Sequence, residues 1–276
     1  MGRLDNFISL KPTGELSEHI DSYYFHSCDD PHSKLNFTYY PHIKHAVTIY
    51  LDSRVESFEK RTIVKPAKSS FTLLYSTVRD EPHHVEIQGE FKKVGIVFKP
   101  YGLSRFVNRS IKEYHHHTIS SFNEWPPQLH KIVQKIWMEE DLPSRIALLE
   151  EFLKSQQTKS YPSQLNKIIG DIMYSDSIDL IPEIADKYGM NRKALYRLFI
   201  RELDCSPKKF IKILRFRRSL ESYLQSNQIK LTEAAVSQFY DQSDFIKNVR
   251  KITTMTPKTL TRKISDLENT IFWKID

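Results

Sequence analysis

The alternation of apolar and polar positions between residues 36 and 98 predicts a series of short β-strands. β-Branched and aromatic residues are frequent there, as is typical of strands with one buried face. Turn-like clusters at residues 52–54, 65–67 and 79–82 separate the runs. Regularly spaced short strands favour a small β-barrel or sandwich. The predicted strands are Asn36–Tyr40, Ala46–Leu51, Ser70–Tyr75, His84–Ile87 and Val94–Phe98.

Beyond Gly102 the apolar positions recur at helical intervals, and residues 128–156 are predicted to form two helices. Asp141 is expected to cap the second helix, with Pro143 in its first turn. Apolar stripes on such helices are packing surfaces within a domain or between two subunits, and the sequence leaves both options open. The stripes consist of Leu129, Ile132, Val133, Ile136 and Trp137 in the first helix and Ile146, Leu149, Phe152 and Leu153 in the second.

A polar stretch without apolar rhythm follows these helices and predicts a linker. We therefore expect an N-terminal β-rich domain with a helical C-terminal part at residues 1–155, a linker at 156–164 and a second domain at 165–276. The fold class predicted for the whole chain is α+β, with a small N-terminal barrel or sandwich and an all-α C-terminal domain.

The C-terminal part contains an imperfect repeat of two helix–turn–helix units. In the first, from about residue 178 to 203, Gly189 supplies a residue that can turn with positive φ, and Asn191 is the expected cap of the next helix. In the second, from about residue 231 to 252, Asp241 takes the capping position. A long helix, predicted at residues 207–224, joins the two units.

The positive charge of the chain is concentrated in this repeat. The net charge is +7, and residues 1–159 hold only about +1 of it, with 21 basic and 20 acidic side chains. Residues 191–218 contain ten Lys or Arg and two acids, and residues 247–263 contain six basic residues and no acid. A basic helical surface favours a polyanionic partner, although solvated charge explains the composition alone equally well.

Two cationic helices, each following a helix cap, suit the reading of DNA. A helix fits the major groove, where residues of its first turns reach base edges. At these positions the chain resembles the AraC/XylS family of bacterial transcription regulators. The resemblance covers residues 165–265 and lies in "IPEIADKYGMNRKALYRLFIREL", "SPKKFIKILRFRRSLESYL" and "FYDQSDFIKNVRKITTMTP", including the Asp241-Gln242-Ser243 triplet and two Ser/Thr-Pro elements.

The resemblance implies seven helices in this domain, with recognition helices at Asn191–Leu203 and Asp241–Ile252. It also implies which residues face the DNA. The base-facing candidates are Arg192, Lys193, Tyr196 and Arg197 in the first helix and Gln242, Ser243 and Lys247 in the second. The residues expected to contact phosphates are Asn191, Arg201, Lys208, Lys209, Arg250, Lys251 and Lys258. Further cations available for phosphates are Lys212, Arg215, Arg217, Arg218 and Lys263.

The second unit departs from the family pattern. Its turn lacks the usual glycine, either because Gln238 replaces it or because the turn is one residue short. Asp204 and Thr254 stand where glycines often end the recognition helices, and Asp244 would repel phosphate. We therefore hypothesise that the first recognition helix supplies more of the specificity.

The N-terminal half has a weaker resemblance to the sensor half of some AraC-type regulators, in "FKKVGIVFKPYGLSRFV", "SFNEWPPQLHKIV" and "SRIALLEEFL". That resemblance implies an effector-binding or dimerising domain. Double-stranded DNA is the expected partner, and a small-molecule effector, a second copy of the chain and RNA polymerase are further candidates. No membrane partner is expected.

Enzymatic, metal and cofactor functions are not predicted. The two cysteines, Cys28 and Cys205, have no metal-ligand spacing, and His115-His116-His117 would not converge on one ion in a regular helix or strand. Neither a phosphate-binding glycine loop nor a nucleophile motif occurs. The N-terminus lacks the apolar core of a signal peptide, so a cytoplasmic protein is expected. The alternative is a small-molecule-binding or catalytic β-domain whose basic helices coat nucleic acid without sequence preference.

Overall fold

The structure, a computed structural model, describes residues 6–79, 81–114, 119–158, 163–175, 180–225, 230–236, 238–263, 265–267 and 271–275. The chain divides into two compact units. The first contains Met1–Leu35, Lys44–Thr77 and Val85–Tyr161, and the second contains Asn36–Ile43, Val78–His84 and Pro162–Asp276. The N-terminal part is a curled β-sheet and the C-terminal part is helical, which confirms the predicted α+β class. The domain boundaries stay predictions, because the second unit also includes two N-terminal segments.

The first unit is built around an antiparallel sheet. Its strands are β1 (Phe7–Leu10), β2 (Ile20–Cys28), β3 (Lys34–Tyr39), β4 (His45–Ser57), β5 (Arg61–Ser76), β6 (His83–Gln88), β7 (Phe91–Phe98) and β8 (Ile119–Ser121). Strands β3 and β6 are divided between the two units. The order in the first unit is β1-β2-β7-β4-β5-β6, and β8 pairs with β5. All five predicted strands are present, and most are longer than predicted.

Two predicted turns are wrong, because the long hairpin β4–β5 continues through them. Asp52 lies within β4 at a register shift, with φ 54°, and Ser69 on β5 has φ 62°. The Asp52 carboxylate accepts a hydrogen bond from the Ser69 amide at 2.9 Å. A register shift in the strand pairing lets a strand continue past residues that favour turns. The cluster at 65–67 likewise lies within β5.

Helix α1 (Leu129–Met138) and helix α2 (Leu142–Ser155) follow the sheet. Asp141 caps α2 as predicted, because its side chain accepts a hydrogen bond from the Ser144 amide at 2.9 Å. The apolar stripes pack within this unit rather than standing free. The buried residues of the stripes belong to one core with side chains of β2, β4 and β7. These residues are Leu129, Val133, Ile136, Leu149, Phe152 and Leu153.

The opposite face of β7 buries a lysine. Lys93 is fully buried, directly opposite His26 of β2, and its amine lies 5.8 Å from the ring centres of both Tyr24 and Phe91. Gly95 is required beside it, since a Cβ there would stand 1.9 Å from the Tyr24 ring. Loss of water around the amine lowers the pKa of Lys93 to about 7. The ammonium form is therefore disfavoured in the folded unit.

This burial makes stability depend on pH in a defined window. Unfolded Lys has a pKa of about 10.4, so between pH 7 and 10 the unfolded chain binds a proton that the folded chain does not. Unfolding free energy is therefore expected to rise over this window, by an amount on the order of 4 kcal/mol. Lys93→Met should remove most of the rise between pH 7 and 9 and stabilise the unit at pH 7. Denaturant unfolding of both proteins from pH 6 to 10 measures this, and an equal pH dependence in the two would contradict it.

The second unit contains seven helices within its described residues. They are α3 (Ser163–Tyr174), α4 (Leu180–Lys187), α5 (Arg192–Leu203), α6 (Pro207–Gln225), α7 (Leu231–Ala234), α8 (Gln242–Thr253) and α9 (Pro257–Lys263). Strand β9 (Ser265–Leu267) pairs with β10 (Ile271–Ile275), and β10 pairs with the Phe37–Tyr39 end of β3. In the described part of the chain, no helix is long and apolar enough to cross a membrane.

Candidate nucleic-acid interface

The start of α5 is fixed by a tight turn and a side-chain cap. Gly189 has φ 60°, which a glycine adopts without strain, and the next amide, that of Met190, donates back to Ala185 at 2.8 Å. The side-chain oxygen of Asn191 then accepts a hydrogen bond from the Ala194 amide at 2.8 Å. The predicted N-cap is confirmed. Helix α5 therefore begins at Arg192, and the first base-facing candidate lies in its first turn.

Helix α5 separates its apolar and cationic side chains cleanly. Leu195, Phe199 and Leu203 are buried, and the rings of Phe199 and Phe210 of α6 meet edge to face at 5.7 Å. The outward side chains are all exposed, and they are Arg192, Lys193, Tyr196, Arg197 and Arg201. All four base-facing candidates of this helix are therefore accessible, as reading a base edge requires.

Helix α8 repeats this arrangement in the second helix–turn–helix unit. The Asp241 carboxylate accepts a hydrogen bond from the Asp244 amide at 2.7 Å, which confirms the second predicted cap. Phe245, Val249 and Ile252 are buried. All three base-facing candidates are exposed. The exposed side chains of this helix are Gln242, Ser243, Asp244, Lys247, Arg250 and Lys251.

Both predicted recognition helices, α5 and α8, end on a residue with left-handed backbone geometry. Asp204 has φ 52° and Thr254 has φ 61°, and their amides donate to the carbonyls of Ile200 and Arg250. These are the positions where the family pattern favours glycine. The geometry is retained without glycine, at a conformational cost that is greater for the β-branched threonine.

The turn of the second helix–turn–helix unit lacks the glycine of the family pattern. Gln238 does not adopt a positive φ, and its amide donates to the Ala235 carbonyl at 3.0 Å. Its side-chain oxygen lies 3.5 Å from Nη1 of Arg218. At its described positions, then, this turn is built from backbone conformations that any residue can adopt.

A groove of about 660 Å³ lies between the two helix–turn–helix units. Its cations come from α5 and α6, namely Arg192, Lys208, Lys212 and Arg215. Asp244 and the buried Asn248 of α8 also line it. The groove is thus lined by four cations and one carboxylate. Arg192 and Asp244 lie in the first turns of α5 and α8, and the N-terminal end of a helix attracts anions.

The residues expected to contact phosphates differ in accessibility. Four of them are exposed, namely Lys208, Arg250, Lys251 and Lys258. Lys209 is half-buried. Two more are engaged within the protein, although their side chains are exposed. Arg201 pairs with the adjacent Glu202, and the Asn191 oxygen serves the helix cap.

Two further cations prove to be structural, which corrects the expectation that they are available for phosphates. Arg217 is 3% exposed and donates to backbone carbonyls at Tyr40 and Pro41. Arg218 donates from Nη1 to Ser175 at 2.8 Å and from Nη2 to Met173, at the end of α3. Consecutive residues of one helix point about 100° apart, so a basic run in the sequence does not distinguish outward from inward cations. The side chain of Lys263 lies outside the described residues.

The first helix–turn–helix unit is also held by a carboxylate of α3. Asp171 accepts a hydrogen bond from the Tyr188 hydroxyl at 2.7 Å and pairs with Lys187 at 2.7 Å. Hydrogen bonds from Lys187 and Tyr188 lower the pKa of Asp171. These contacts fix the end of α4 and the turn that precedes α5.

Sequence reasoning did not assign the segment Asn36–Ile43 to the second compact unit, to which it belongs. Tyr40 is buried in the core beneath α8. No local signal marks it, because its partners lie far along the chain and its own neighbours read as a strand.

Metal ligation receives no support in the described residues, where no group of three His, Cys, Asp or Glu side chains is arranged to hold an ion. His115-His116-His117 lies outside those residues. Cys28 and Cys205 are free thiols, the first half-buried and the second buried.

Comparison with known proteins assigns the helical part of the chain to a domain type. Residues 184–263 match a family model described as "Helix-turn-helix domain", and residues 8–120 match one described as "Domain of unknown function (DUF6597)". The Msm operon regulatory protein of Streptococcus mutans is 32% identical over 129 residues, which are 44% of this chain and 45% of that protein. The chain thus aligns with less than half the length of this curated relative.

Solved structures of ToxT from Vibrio cholerae are also similar. One at 1.65 Å resolution has 10% identity and a TM-score of 0.45, and the match covers 92% of this chain and 97% of that one. Another, with an unsaturated fatty acid bound, has 12% identity and a TM-score of 0.40, with 94% and 96% coverage.

The fold and the capped helix pairs define an α+β protein with a C-terminal double helix–turn–helix domain. Residues 184–263 are thus similar to the helix-turn-helix domain family, in the region where the sequence resembles the AraC/XylS type.

Proposed function

We propose that the chain is a transcription regulator that binds double-stranded DNA in a sequence-specific manner, with α5 and α8 in successive segments of the major groove. The observation that carries this proposal is the shared design of the two helices. Each begins at a side-chain cap, buries one apolar face and exposes its base-contacting candidates in its first two turns. Helices presented in this way suit the major groove, where first-turn residues reach base edges.

The groups available on each helix suit different bases. Arg192, Lys193 and Arg197 can donate to guanine, whereas Gln242 can form two hydrogen bonds with adenine. Tyr196, Ser243 and Lys247 complete the proposed base-contacting set. A good bidentate pair discriminates against the wrong base by about 1–3 kcal/mol.

Phosphate contacts would supply affinity without base preference. The cationic groove between the two helix–turn–helix units supports this role for Lys208, and the exposure of Arg250, Lys251 and Lys258 supports it for them. Asn191, Arg201 and Lys209 are proposed as further phosphate contacts. Asp244 lines the same groove and would weaken binding there, which favours α5 as the main source of specificity.

The N-terminal unit is proposed to sense a small-molecule effector, to mediate association of two copies, or both. Because the stripes of α1 and α2 pack into their own core, a dimer contact would use other surfaces. RNA polymerase is a further proposed partner of a regulator of this kind. No enzymatic step, cofactor or membrane contact is part of the proposal.

Competition between duplexes at several salt concentrations tests the proposal. A duplex selected by the full chain from random sequences should bind about 10³-fold or more tightly than its scrambled counterpart at physiological salt. Affinity for both should fall with salt, with a slope of about −0.9 per phosphate contact. Equal affinity for selected and scrambled duplexes at every salt concentration would support non-specific coating instead.

A further inference from the structure

The core of the second helix–turn–helix unit includes a residue from the N-terminal part of the chain. Tyr40 is 4% exposed and belongs to an apolar cluster of the same compact unit. The other buried members come from α6 to α9 and the turn between α7 and α8. They are Phe216, Leu220, Leu231, Ala235, Phe239, Phe245, Val249, Ile252 and Leu260.

The Tyr40 ring contributes apolar volume rather than polar contact. Its hydroxyl is buried and has no hydrogen-bond partner among the described residues. Burial raises the pKa of Tyr40 to about 12. A phenylalanine at this position would therefore fill the same space and leave no polar atom unsatisfied.

Arg217 holds the backbone of this segment. From α6, its Nε donates to the Pro41 carbonyl at 2.7 Å and its Nη2 donates to the Tyr40 carbonyl at 2.8 Å. Burial lowers the pKa of Arg217 to about 9, so the guanidinium stays charged at neutral pH and both hydrogen bonds are charge-assisted. Lysine cannot replace this arrangement, because it lacks two donors in a fixed planar fork.

The second helix–turn–helix unit needs such support more than the first helix–turn–helix unit. Helix α7 has only four residues, too few to be stable without tertiary packing, and it forms the scaffold against which α8 is placed. In the first helix–turn–helix unit the corresponding helix, α4, has eight residues and is tied to α3 through Asp171.

We infer that Tyr40 and Arg217 are positioning residues for α8, so that a segment of the N-terminal region is required to read the second half of the DNA site. The inference rests on the proposed function and deepens it. It makes the DNA-binding unit discontinuous in sequence, with residues 36–43 as one of its parts. Arg217 acts through Tyr40, and neither side chain touches DNA.

The test combines chemical protection of DNA with hydrogen exchange in the full-length protein. On a duplex selected by the wild-type chain, Arg197→Ala and Lys247→Ala first identify which half-site each recognition helix reads. Protection of guanine N7 from methylation then reports major-groove occupancy at each half-site. Tyr40→Ala and Arg217→Lys should weaken protection of the α8 half-site at least tenfold and leave the α5 half-site protected. Tyr40→Phe should behave as wild type.

Hydrogen exchange distinguishes failure of this inference from failure of the proposed function. In the absence of DNA, amides of α7 and α8 should exchange at least about tenfold faster in Tyr40→Ala and Arg217→Lys, while those of α5 keep their wild-type rates. Unchanged exchange in α8, or equal acceleration in α5 and α8 in both variants, would overturn the inference even if DNA binding is confirmed. If exchange is accelerated only in α7 and α8 but the wild-type chain selects no duplex, the proposed function would be wrong, whereas the positioning role of Tyr40 and Arg217 would be supported.

Discussion

Replacing both Arg192 and Arg197 with alanine is expected to lower affinity for the selected duplex by about 100-fold or more and to lower affinity for scrambled DNA much less. Each arginine is exposed on the outward face of α5, where it can donate two hydrogen bonds to guanine. At about 1–3 kcal/mol of discrimination per bidentate pair, two lost pairs give this magnitude when their effects add.

The corresponding change in the second helix should have a smaller effect. Gln242→Ala with Lys247→Ala removes the equivalent side chains of α8, but Asp244 already opposes phosphate beside that helix. Titration of all variants against selected and scrambled duplexes measures the difference. Lys131→Ala with Lys135→Ala on α1 removes the same positive charge as the arginine pair and should leave both affinities near wild type. Equal loss of discrimination from the α5 and α8 pairs would contradict the greater role of α5.

The second large effect is expected from Phe199→Ala, which should destabilise the first helix–turn–helix unit by about 3–5 kcal/mol. The Phe199 side chain is fully buried and packs edge to face on Phe210, so its removal leaves a cavity beneath α5. Tyr196→Ala is the matched control on the same helix. That ring is 50% exposed, and its loss should change stability by no more than about 0.5 kcal/mol.

Hydrogen exchange of the α5 amides in both variants measures this contrast. Phe199→Ala should accelerate exchange strongly, whereas Tyr196→Ala should affect DNA binding without altering exchange. Similar exchange rates in the two variants would contradict the prediction that the buried face of α5, which includes Phe199, stabilises this helix.

The local signals in the sequence were sufficient to predict where α5 and α8 begin and which of their faces are buried. The caps at Asn191 and Asp241, the turn at Gly189 and the helical apolar rhythm all depend on neighbours within a few residues, and each is found in the structure. Helix start and stop signals act over one turn, so the sequence contains them directly.

Other features depend on distant partners and were missed. Strand β2 is buried on both faces, with Tyr23 and Phe25 in the main core and Tyr24 and His26 on the other face, so it shows no alternation. Arg217 looks like its exposed neighbours in a basic run until its carbonyl partners are known. Burial of this kind is a property of the tertiary structure rather than of the local pattern.

The central claim is that α5 and α8 occupy successive major-groove segments of one duplex. Methylation protection of guanine N7 on a selected duplex tests this most directly, because N7 lies in the major groove. One copy of the chain should protect two patches on the same face of the DNA, separated by about one helical turn, or 10–10.5 base pairs. A single protected patch that Arg197→Ala and Lys247→Ala weaken alike, or uniform protection without patches, would contradict the claim.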